Sequence, residues 1–277
     1  MKMPVLTDTK ALIRNRARAL QAPALFLHED VRDELKERLT EVNKTFKSIA
    51  IVTGFSDFWR NAFPEAEIVS DDDILALNPG TYDLVIHAMA LHWANDPVGQ
   101  LIQCQRALQP DGLFLAALLG GQSLHELRAC LAEAEAATTG GLSPRVLPMA
   151  EIRDLGGLLQ RAGFALPVAD GFTRNVHYRD MVHLMHDLRA MGESNALDAR
   201  LRRPTRRAVF GQAAERYDQN YGVANGRIAA TFEMIFLTGW APHDSQQKPL
   251  RPGSAAKRLA DALNSPEITL PATKGDG

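Results

Sequence analysis

The sequence has few of the features that mark a secreted, membrane-spanning or metal-binding protein. It contains only two cysteines, Cys104 and Cys130, which have no CxxC spacing and are expected to be small apolar packing residues of a reducing compartment. No stretch approaches the ~20 consecutive apolar residues that cross a bilayer. The basic N-terminus lacks the apolar run of a secretory signal. We therefore expect a cytoplasmic protein without a membrane span.

Strong charge of either sign is also absent. The formal net charge is −2 and the sequence pI is about 6.5, which gives no global reason to expect nucleic acid or an anionic membrane as a partner. No P-loop, Ser–His–Asp context or metal-ligand spacing is present, and His177, His183 and His186 do not form an HExxH pattern. With 45% hydrophobic and 23% charged residues, the composition is that of an ordinary globular protein.

What the chain does have is an alternation of short apolar runs with amphipathic segments. The pattern predicts helices over 1–45, a strand at 48–52, a helix at 56–63, a strand at 67–69, a strand at 82–90, a helix at 97–108 and a strand at 113–119. A turn at 110–112 (Pro, Asp, Gly) precedes the last of these. The strand at 82–90 is nearly apolar and is expected to be buried on both faces. This order predicts an α/β protein with a parallel sheet.

The rest of the chain is predicted to be mostly helical. Ser123 and Glu126 indicate a capping box, and Gly163 and Gly192 are placed to end two helices. The segment Phe232 to Trp240 is strand-like and is expected to rejoin the sheet. We divide the chain into an N-terminal helical segment (1–45), a Rossmann-like core (46–120), a helical insertion (121–230), a last strand with a C-terminal motif (231–256) and a mobile tail (257–277).

Several motifs resemble those of the class I S-adenosylmethionine (SAM) dependent methyltransferases. The middle motifs, at 81–85, 91–97 and 108–112, are most similar to the biotin-pathway malonyl-carrier-protein methyltransferases. Later segments resemble the mitochondrial complex I assembly factor of methyltransferase type; they are residues 120–128, 140–144, 158–164 and 191–195, and Gly239-Trp240 with the polar and small residues from His243 to Ser254. The resemblance extends from about residue 7 to residue 256.

The resemblance implies a doubly wound sheet that binds SAM at the carboxyl ends of its strands. The biotin-pathway relatives transfer a methyl group to a malonyl thioester. The mitochondrial relative is linked to arginine hydroxylation on an iron–sulfur subunit of NADH dehydrogenase, and to its assembly. Two functions therefore remain as alternatives: a SAM-dependent methyltransferase, and a non-catalytic or hydroxylase-type assembly factor.

The sequence departs from the family where the cofactor is expected. Class I members carry an acidic residue and a glycine-rich loop after the first strand. Glycine is needed in the loop because a Cβ there would intrude on the ligand. Here Ile51 replaces the acidic residue, Gly54 is the one glycine that remains, and Phe55 and Asp57 occupy the loop. Gly54 fits either a remnant of that loop or a plain turn. This degenerate loop predicts lost or reduced binding of SAM.

The spacing to the next central strand is short. Only the 27 residues from 55 to 81 separate Gly54 from Tyr82, fewer than two strand–helix units need. Asp71 and Asp72 are candidates for a ribose- or adenine-binding acid, or for a solvated loop, and Gly54 and Met89 are the other two cofactor-binding candidates. We expect one strand–helix unit to be missing, either the unit with the ribose-binding acid or the adenine-side strand.

Candidate catalytic side chains follow two predicted strands. His92 and Trp93 come just after a central strand, at the carboxyl edge where open α/β sheets bind ligands. An imidazole can act as a base and an indole can shield a sulfonium, although the pair can also serve only to pack the sheet edge. Trp240 and His243 follow the last strand and are expected to face the same cleft.

Two polar clusters are candidates for partner contacts. One is the run Glu193, Ser194 and Asn195, which follows a predicted helix end. These residues can cap the helix or make a contact that is specific to the family. The arginines between Arg200 and Arg207 can bind phosphate, an acidic carrier protein or RNA, or can form a solvated helix start. No aromatic residues are interleaved with them, which disfavours RNA. A protein or carrier-protein partner is therefore expected, and nucleic acid is not.

Overall fold

The alternation of strands and helices is present in the computed structural model, in which residues 5–246 are described. The helices are α1 (Thr9–Ala19), α2 (Phe26–Glu41), α3 (Ser56–Ala62), α4 (Pro97–Ala107), α5 (His125–Thr139), α6 (Ile152–Arg161), α7 (Met181–Ala190) and α8 (Arg207–Tyr221). The strands are β1 (Ile49–Thr53), β2 (Glu67–Val69), β3 (Tyr82–Ala88), β4 (Leu108–Gly120), β5 (Ala165–Tyr178), β6 (Gly222–Val223) and β7 (Arg227–Trp240).

These strands form one sheet in the order β2-β1-β3-β4-β7-β5, with β6 paired to β7. Strands β2, β1, β3 and β4 are parallel, and β7 runs antiparallel to both β4 and β5. After β2 the chain returns to the other side of β1 as β3, so within the described residues no strand lies beyond β2. The missing strand–helix unit is therefore the one on the outer side of β2.

Side chains of the central strands alternate between two cores, one on each face of the sheet. In β4, Leu113, Leu115 and Ala117 face the core that includes α2, α3, α5, α7 and α8. Phe114 and Ala116 face the core formed with α4 and α6. Strands covered by helices on both faces need apolar residues at nearly every position. The prediction of a doubly wound α/β sheet is confirmed.

The segment 121–230 is not the purely helical insertion that its sequence predicts. Besides four helices it contains β5, a strand of 14 residues. This strand was missed because it forms a sheet edge that is exposed over most of its length, so its apolar residues do not alternate regularly. Pro167 and Gly171 also interrupt it, as is common at edges. The strand predicted at Phe232 to Trp240 is confirmed as part of β7.

Two predicted helix ends are confirmed and one predicted helix start is wrong. Gly163 and Gly192 follow α6 and α7 with φ values of +87° and +81°, the left-handed conformation typical of a residue after a helix. Ser123 and Glu126 do not form a capping box, because α5 begins after Leu124, which has a φ of 54° and no side-chain cap. The Ser123 hydroxyl instead donates to a carbonyl of β4 and accepts from an amide of β7.

The turn predicted at 110–112 lies within β4, and its positive φ belongs to a different residue than expected. Asp111 has a φ of 61° and its carboxylate accepts from Lys44 Nζ at 3.1 Å. Gly112 has no positive φ; a Cβ there would lie 2.9 Å from the Gln109 carbonyl oxygen. Crowding, and not backbone conformation, therefore favours glycine at this position.

Residues 5–243 lie within one compact unit. The mobile tail predicted at 257–277, and the part of the C-terminal motif beyond residue 246, lie outside the described residues. Across residues 5–246 we find no helix with the length and hydrophobicity that a membrane span requires.

Candidate functional site

His92 and Trp93 lie at the carboxyl edge of the sheet, as predicted. They belong to a 3₁₀ turn directly after β3, and both contact Glu193, which follows α7. Trp93 Nε1 donates to Glu193 Oε2 at 2.7 Å, and His92 Nε2 lies 3.3 Å from the same oxygen. The side chains of His92 and Glu193 are only 3% and 10% exposed. The structure thus joins two catalytic candidates to a carboxylate from a distant segment.

Glu193 is ionised in spite of its burial. Burial by itself raises the pKa of a carboxyl group, but here the charges of His92 and Arg16, and hydrogen bonds from His92 and Trp93, bring the pKa of Glu193 below its ordinary value. A buried carboxylate of this kind can hold a cation or orient an imidazole.

Arg16, a residue of α1, fills the space over the loop that follows β1. A Cβ added to Gly54 would lie 2.2 Å from Arg16 Nη1, so the guanidinium rests directly on the Gly54 backbone. Arg16 Nη1 also donates to both carboxylate oxygens of Asp71, at 2.7 and 2.8 Å. The two side chains are 8% and 12% exposed. Gly54 and Asp71 are therefore close together, as a shared cofactor site would require. However, Arg16 of the same chain already contacts Gly54 and forms an ion pair with Asp71.

Phe55 is buried next to this ion pair. Its ring packs on the His28 ring, with centroids 4.7 Å apart. A Cβ added to Gly192 would lie 2.9 Å from Phe55 Cζ and 3.2 Å from Arg16 Cγ, so the turn after α7 covers both side chains. The loop sequence predicts that Phe55 obstructs the space above Gly54. The structure places the Arg16 side chain directly on Gly54, which is a second obstruction that the loop sequence does not predict.

SAM does not fit these residues in the manner of the family. That manner needs open main chain at the glycine loop and an acidic group free to bind the nucleoside, whereas Gly54 is covered and Asp71 is paired. The other two cofactor-binding candidates do not join the group. The Asp72 side chain is exposed, and its carbonyl accepts from Gln100 Nε2 at 3.0 Å. Met89 is buried in the apolar core.

Trp240 and His243 do not face the cleft that contains His92. Because β7 runs antiparallel to β4, its carboxyl end lies at the amino edge of the parallel strands, where Trp240 pairs with Leu113. The Lys44 ammonium lies 5.6 Å from the centroid of a Trp240 ring. His243 is exposed just beyond that edge. The expectation that all four catalytic candidates share one cleft is therefore wrong for Trp240 and His243.

Two further histidines are buried near the site. His28 Nδ1 accepts from Trp59 Nε1 at 3.2 Å, and His87 Nε2 lies 2.9 Å from Gln100 Oε1. Burial lowers the pKa of His28 and of His87 to about 4 in each case, so both are neutral near pH 7. Over the described part of the chain, no three His, Cys, Asp or Glu side chains are grouped so that they could hold a metal ion.

A cavity of about 240 Å³ lies beside Glu193. Its polar wall is formed by Trp93, Glu193, Ser194 and Asn195, with Arg145 and Arg189. Its apolar wall is formed by Leu119, Leu124, Leu127, Leu131, Val146, Leu147, Met149, Met185, Leu188 and Phe210. The polar cluster at 193–195 is therefore both the end of a helix and one wall of a cavity.

The arginines from 200 to 207 do not form one free basic surface. Arg200 and Arg202 bind the Asp8 carboxylate at 2.8 and 3.1 Å, and Arg202 also binds Asp198 at 3.0 Å. Arg206 and Arg207 are exposed where α8 begins. Part of this cluster therefore anchors the N-terminal segment, while its role towards a partner stays a prediction.

Arg16 is the main site residue that sequence reasoning missed. Leu12, Arg16 and Ala19 are buried on one face of α1, the face that i, i+4 and i+7 positions share. An arginine inside an apolar stripe is rarely buried unless it is paired. That spacing was the available signal, and Asp71 is the partner that it required.

Comparison with known proteins gives the following similarities. A family model described as a methyltransferase domain matches residues 32–116. Arginine-hydroxylase NDUFAF5, mitochondrial, of Danio rerio is 40% identical over 201 residues, which cover 72% of this chain and 61% of the relative. The Homo sapiens protein of that name is 36% identical over 77% of this chain and 62% of the relative.

A second group of relatives is also similar. A malonyl-acyl-carrier-protein O-methyltransferase of Laribacter hongkongensis is 33% identical over 68% of this chain and 61% of the relative. The chain thus spans less than two thirds of the length of these relatives. Among solved structures, the YcgJ protein of Bacillus subtilis has a TM-score of 0.48 and 10% identity, over 77% of this chain and 99% of that one. A similarity as low as this carries no functional argument.

Proposed function

This chain belongs to the class I methyltransferase family, and we propose its function in two parts. First, the chain has lost the family's mode of SAM binding. Second, it acts on a protein partner as an assembly factor. The observation that supports the first part is the Arg16 guanidinium lying on Gly54 and bound to Asp71. The support for the second part comes from the relatives.

The Arg16–Asp71 ion pair opposes SAM binding energetically as well as sterically. SAM can reach Gly54 only if Arg16 moves away, which separates two charges whose side chains are 8% and 12% exposed. Separating a buried ion pair costs on the order of 3 kcal/mol, which lowers a ligand's affinity about a hundredfold. The loop also lacks the glycines that would repay this cost with close contacts to a nucleoside.

The relatives favour a protein as the partner. The more similar group carries the name arginine-hydroxylase NDUFAF5. The motifs of the present chain resemble a complex I assembly factor, which favours an iron–sulfur subunit of a respiratory complex as the partner. The malonyl-carrier methyltransferases are less similar to this chain, at 33% identity, and transfer of a methyl group needs the SAM site that Arg16 fills. We therefore place the assembly-factor function first.

Calorimetric titration with SAM and with its demethylated product tests the first part. For the wild-type protein we expect no heat of binding and no thermal shift at millimolar ligand. Arg16→Ala opens the space over Gly54 and is expected to gain measurable binding, whereas Arg14→Ala, an exposed neighbour on the same helix, is not. Micromolar binding of either ligand to the wild-type protein would contradict the proposal.

Co-expression tests the second part. The chain is produced with the iron–sulfur subunit of NADH dehydrogenase, and separately with a malonyl-loaded carrier protein, and each product is examined by mass spectrometry. We expect a stable complex with the iron–sulfur subunit, with or without an added oxygen atom on one of its arginines. A methyl ester on the malonyl carrier protein would favour the methyltransferase function instead.

A further inference from the structure

We infer that two copies of this chain pair through the outer edge of β5, with the β5 strands of the two copies antiparallel to each other. Strand β5 lies at one end of the strand order, and within residues 5–246 no strand pairs with its outer side. The inference goes beyond the proposed function and does not depend on it. Its evidence is the length of the edge, its exposed apolar side chains and the order of its charges.

This edge is long and has little protection against pairing. The ladder between β5 and β7 is regular from Val168 to Tyr178, whereas a typical strand has about five or six residues in all. Proteins usually protect a free edge with lysine, with proline or with a bulge, because its main-chain N–H and C=O groups can pair with another strand. Pro167 and a register shift protect only the beginning of β5. Residues 168–178 contain neither lysine nor proline, so most of the edge is suited to pairing.

One face of this edge carries exposed apolar side chains. Val168 and Phe172 lie an even number of residues apart, so they share a face of the sheet, and they are 52% and 37% exposed. Val176 lies on the same face and is half-buried. The Phe172 ring stacks on the Phe236 ring of β7, with centroids 5.8 Å apart. A strand added to the edge would cover these side chains, and burial of apolar surface favours that addition.

The order of charges along β5 favours a second copy of the same strand. Two identical edges related by a two-fold axis must pair antiparallel. If the axis passes through Phe172, Asp170 of one copy lies opposite Arg174 of the other, and Val168 lies opposite Val176. An axis through Asp170 or through Arg174 would instead place like charges opposite each other, which is unfavourable. The sequence of this edge is therefore complementary to itself in one register, centred on Phe172.

Helix α2 extends this charge complementarity. Within one copy, Arg38 Nη1 donates to Asp170 Oδ2 at 2.8 Å, and Arg174 forms an ion pair with Asp30. Asp170 and Arg174 are nevertheless 42% and 45% exposed, so each has room for a second oppositely charged group. The pairing would place four charges of alternating sign in a row: Arg38 and Asp170 of one copy, then Arg174 and Asp30 of the other. Ion pairs joined in such a network stabilise more than isolated surface pairs do.

Analytical ultracentrifugation of the full chain tests the inference. The series extends to about 100 µM, above the micromolar dissociation constants of the weaker specific interfaces. We expect a mass that rises to twice the 30.4 kDa of one chain. Val168→Lys places a charge on the edge and is expected to stay monomeric. The matched control Val182→Lys, at a site on α7 that is 47% exposed, should dimerise as the wild type does.

Two results would overturn the inference. The first is a wild-type protein that is monomeric at every concentration, which is also the result expected if a strand from elsewhere in the chain, or from another protein, occupies the edge. The second is a Val168→Lys variant that dimerises like the wild type, because the contact would then lie on another surface. Far-UV circular dichroism checks that each variant is folded.

An exchange of charges tests the register. Asp170→Arg places arginine opposite arginine in a self-pair, and Arg174→Asp places aspartate opposite aspartate, so each variant alone is expected to be monomeric. In an equimolar mixture, every arginine of the first variant lies opposite an aspartate of the second, and a dimer with one copy of each is expected. A mixture that stays monomeric, or a dimer formed by either variant alone, would overturn pairing centred on Phe172.

Discussion

The Arg16 side chain, bound to Asp71, changes what the framework of the methyltransferase family is able to bind at this edge of the sheet. Their ion pair is nearly buried, and removing one member leaves the other charge without a partner. We predict that Arg16→Ala lowers the free energy of unfolding by about 3 kcal/mol, measured by urea denaturation near pH 7. Arg14→Ala, at an exposed site of the same helix, should change it by less than about 0.5 kcal/mol.

A double variant separates the lost ion pair from the lost packing of the arginine stem. If the destabilisation comes from the unpaired carboxylate, Arg16→Ala combined with Asp71→Asn will be less destabilised than the sum of the two single variants. Strictly additive losses would show that the pair contributes no coupling energy.

The buried histidines predict a dependence of stability on pH. Burial holds the pKa of His28 and of His87 at about 4 in the folded protein, against 6.5 in the unfolded chain. Between these values the unfolded chain takes up protons that the folded protein does not. Stability is therefore fully present above pH 6.5 and is lost as the pH falls towards 4, by on the order of 3 kcal/mol for each histidine.

Urea denaturation at pH 7.5 and pH 5 measures this loss. His87→Gln keeps a donor for Gln100 and removes the titrating ring, so its stability should fall less between the two pH values than that of the wild type. His186→Gln, at an exposed site, should retain the wild-type difference. An unchanged pH dependence in His87→Gln would show that His87 is not one of the responsible groups.

At this scale the sequence predicts which residues are near the site better than it predicts what they do. His92, Trp93, Gly54 and Asp71 lie at the carboxyl edge because each follows a strand of the parallel sheet. Arg16 could not be placed there from sequence, since it reaches the loop from a helix outside the α/β core. Its ion pair joins residues 55 positions apart.

Among the secondary-structure elements, the turn after α7 is the one that closes the site. Gly192 combines a φ of +81° with a close approach to Phe55. We predict that Gly192→Ala destabilises the protein by about 1 kcal/mol through backbone strain and by about 1 kcal/mol more through overpacking against Phe55. Thermal or urea unfolding measures the sum.

Gly163 provides the matched control. It has a φ of +87° after α6, but a Cβ there would meet no atom within 4 Å, so Gly163→Ala carries the strain without the contact. The smaller residue in Phe55→Leu should relieve part of the Gly192→Ala loss and none of the Gly163→Ala loss. Equal losses in the two alanine variants would argue against the contact with Phe55.

The elements were predictable where burial shapes their composition. Strands β3 and β4 are buried on both faces and read as continuous apolar runs, and α4 has a regular apolar face. The sequence does not predict β5, because a strand at an exposed sheet edge does not need a continuous or regular pattern of apolar residues. The start of α5 was misjudged because tertiary hydrogen bonds occupy the Ser123 hydroxyl, and local pattern rules do not include such competition.

For the molecule as a whole, Asn95 is one of several groups that attach the N-terminal segment to the rest of the chain. Asn95 Oδ1 accepts from the amides of Leu6 and Thr7, each at 2.9 Å. We predict that Asn95→Ala increases the hydrogen-exchange rates of these two amides at least about tenfold, as measured by mass spectrometry. Asn61→Ala, at an exposed site, should leave them unchanged. Unaltered exchange in Asn95→Ala would show that other contacts hold the segment.

The topology was predictable only up to the direction of its last strands. The strand–helix alternation required β1 to β4 to be parallel. Nothing in the pattern showed that β7 enters between β4 and β5 in the opposite direction. That reversal carries Trp240 and His243 to the edge opposite His92, which is why two of the four catalytic candidates were misplaced.

The position of Arg16 on α1 also limits how an ancestral pocket could be recovered. Glycines introduced at residues 53–57 would widen the space above the loop but would leave the Arg16 guanidinium in it. A nucleoside would still have to displace that guanidinium from the Asp71 carboxylate. Removing the arginine alone opens the space over Gly54 without supplying the loop glycines, so full recovery would require changes in two parts of the chain. A repair confined to the loop would therefore fail, because the obstruction comes from a helix in another part of the chain.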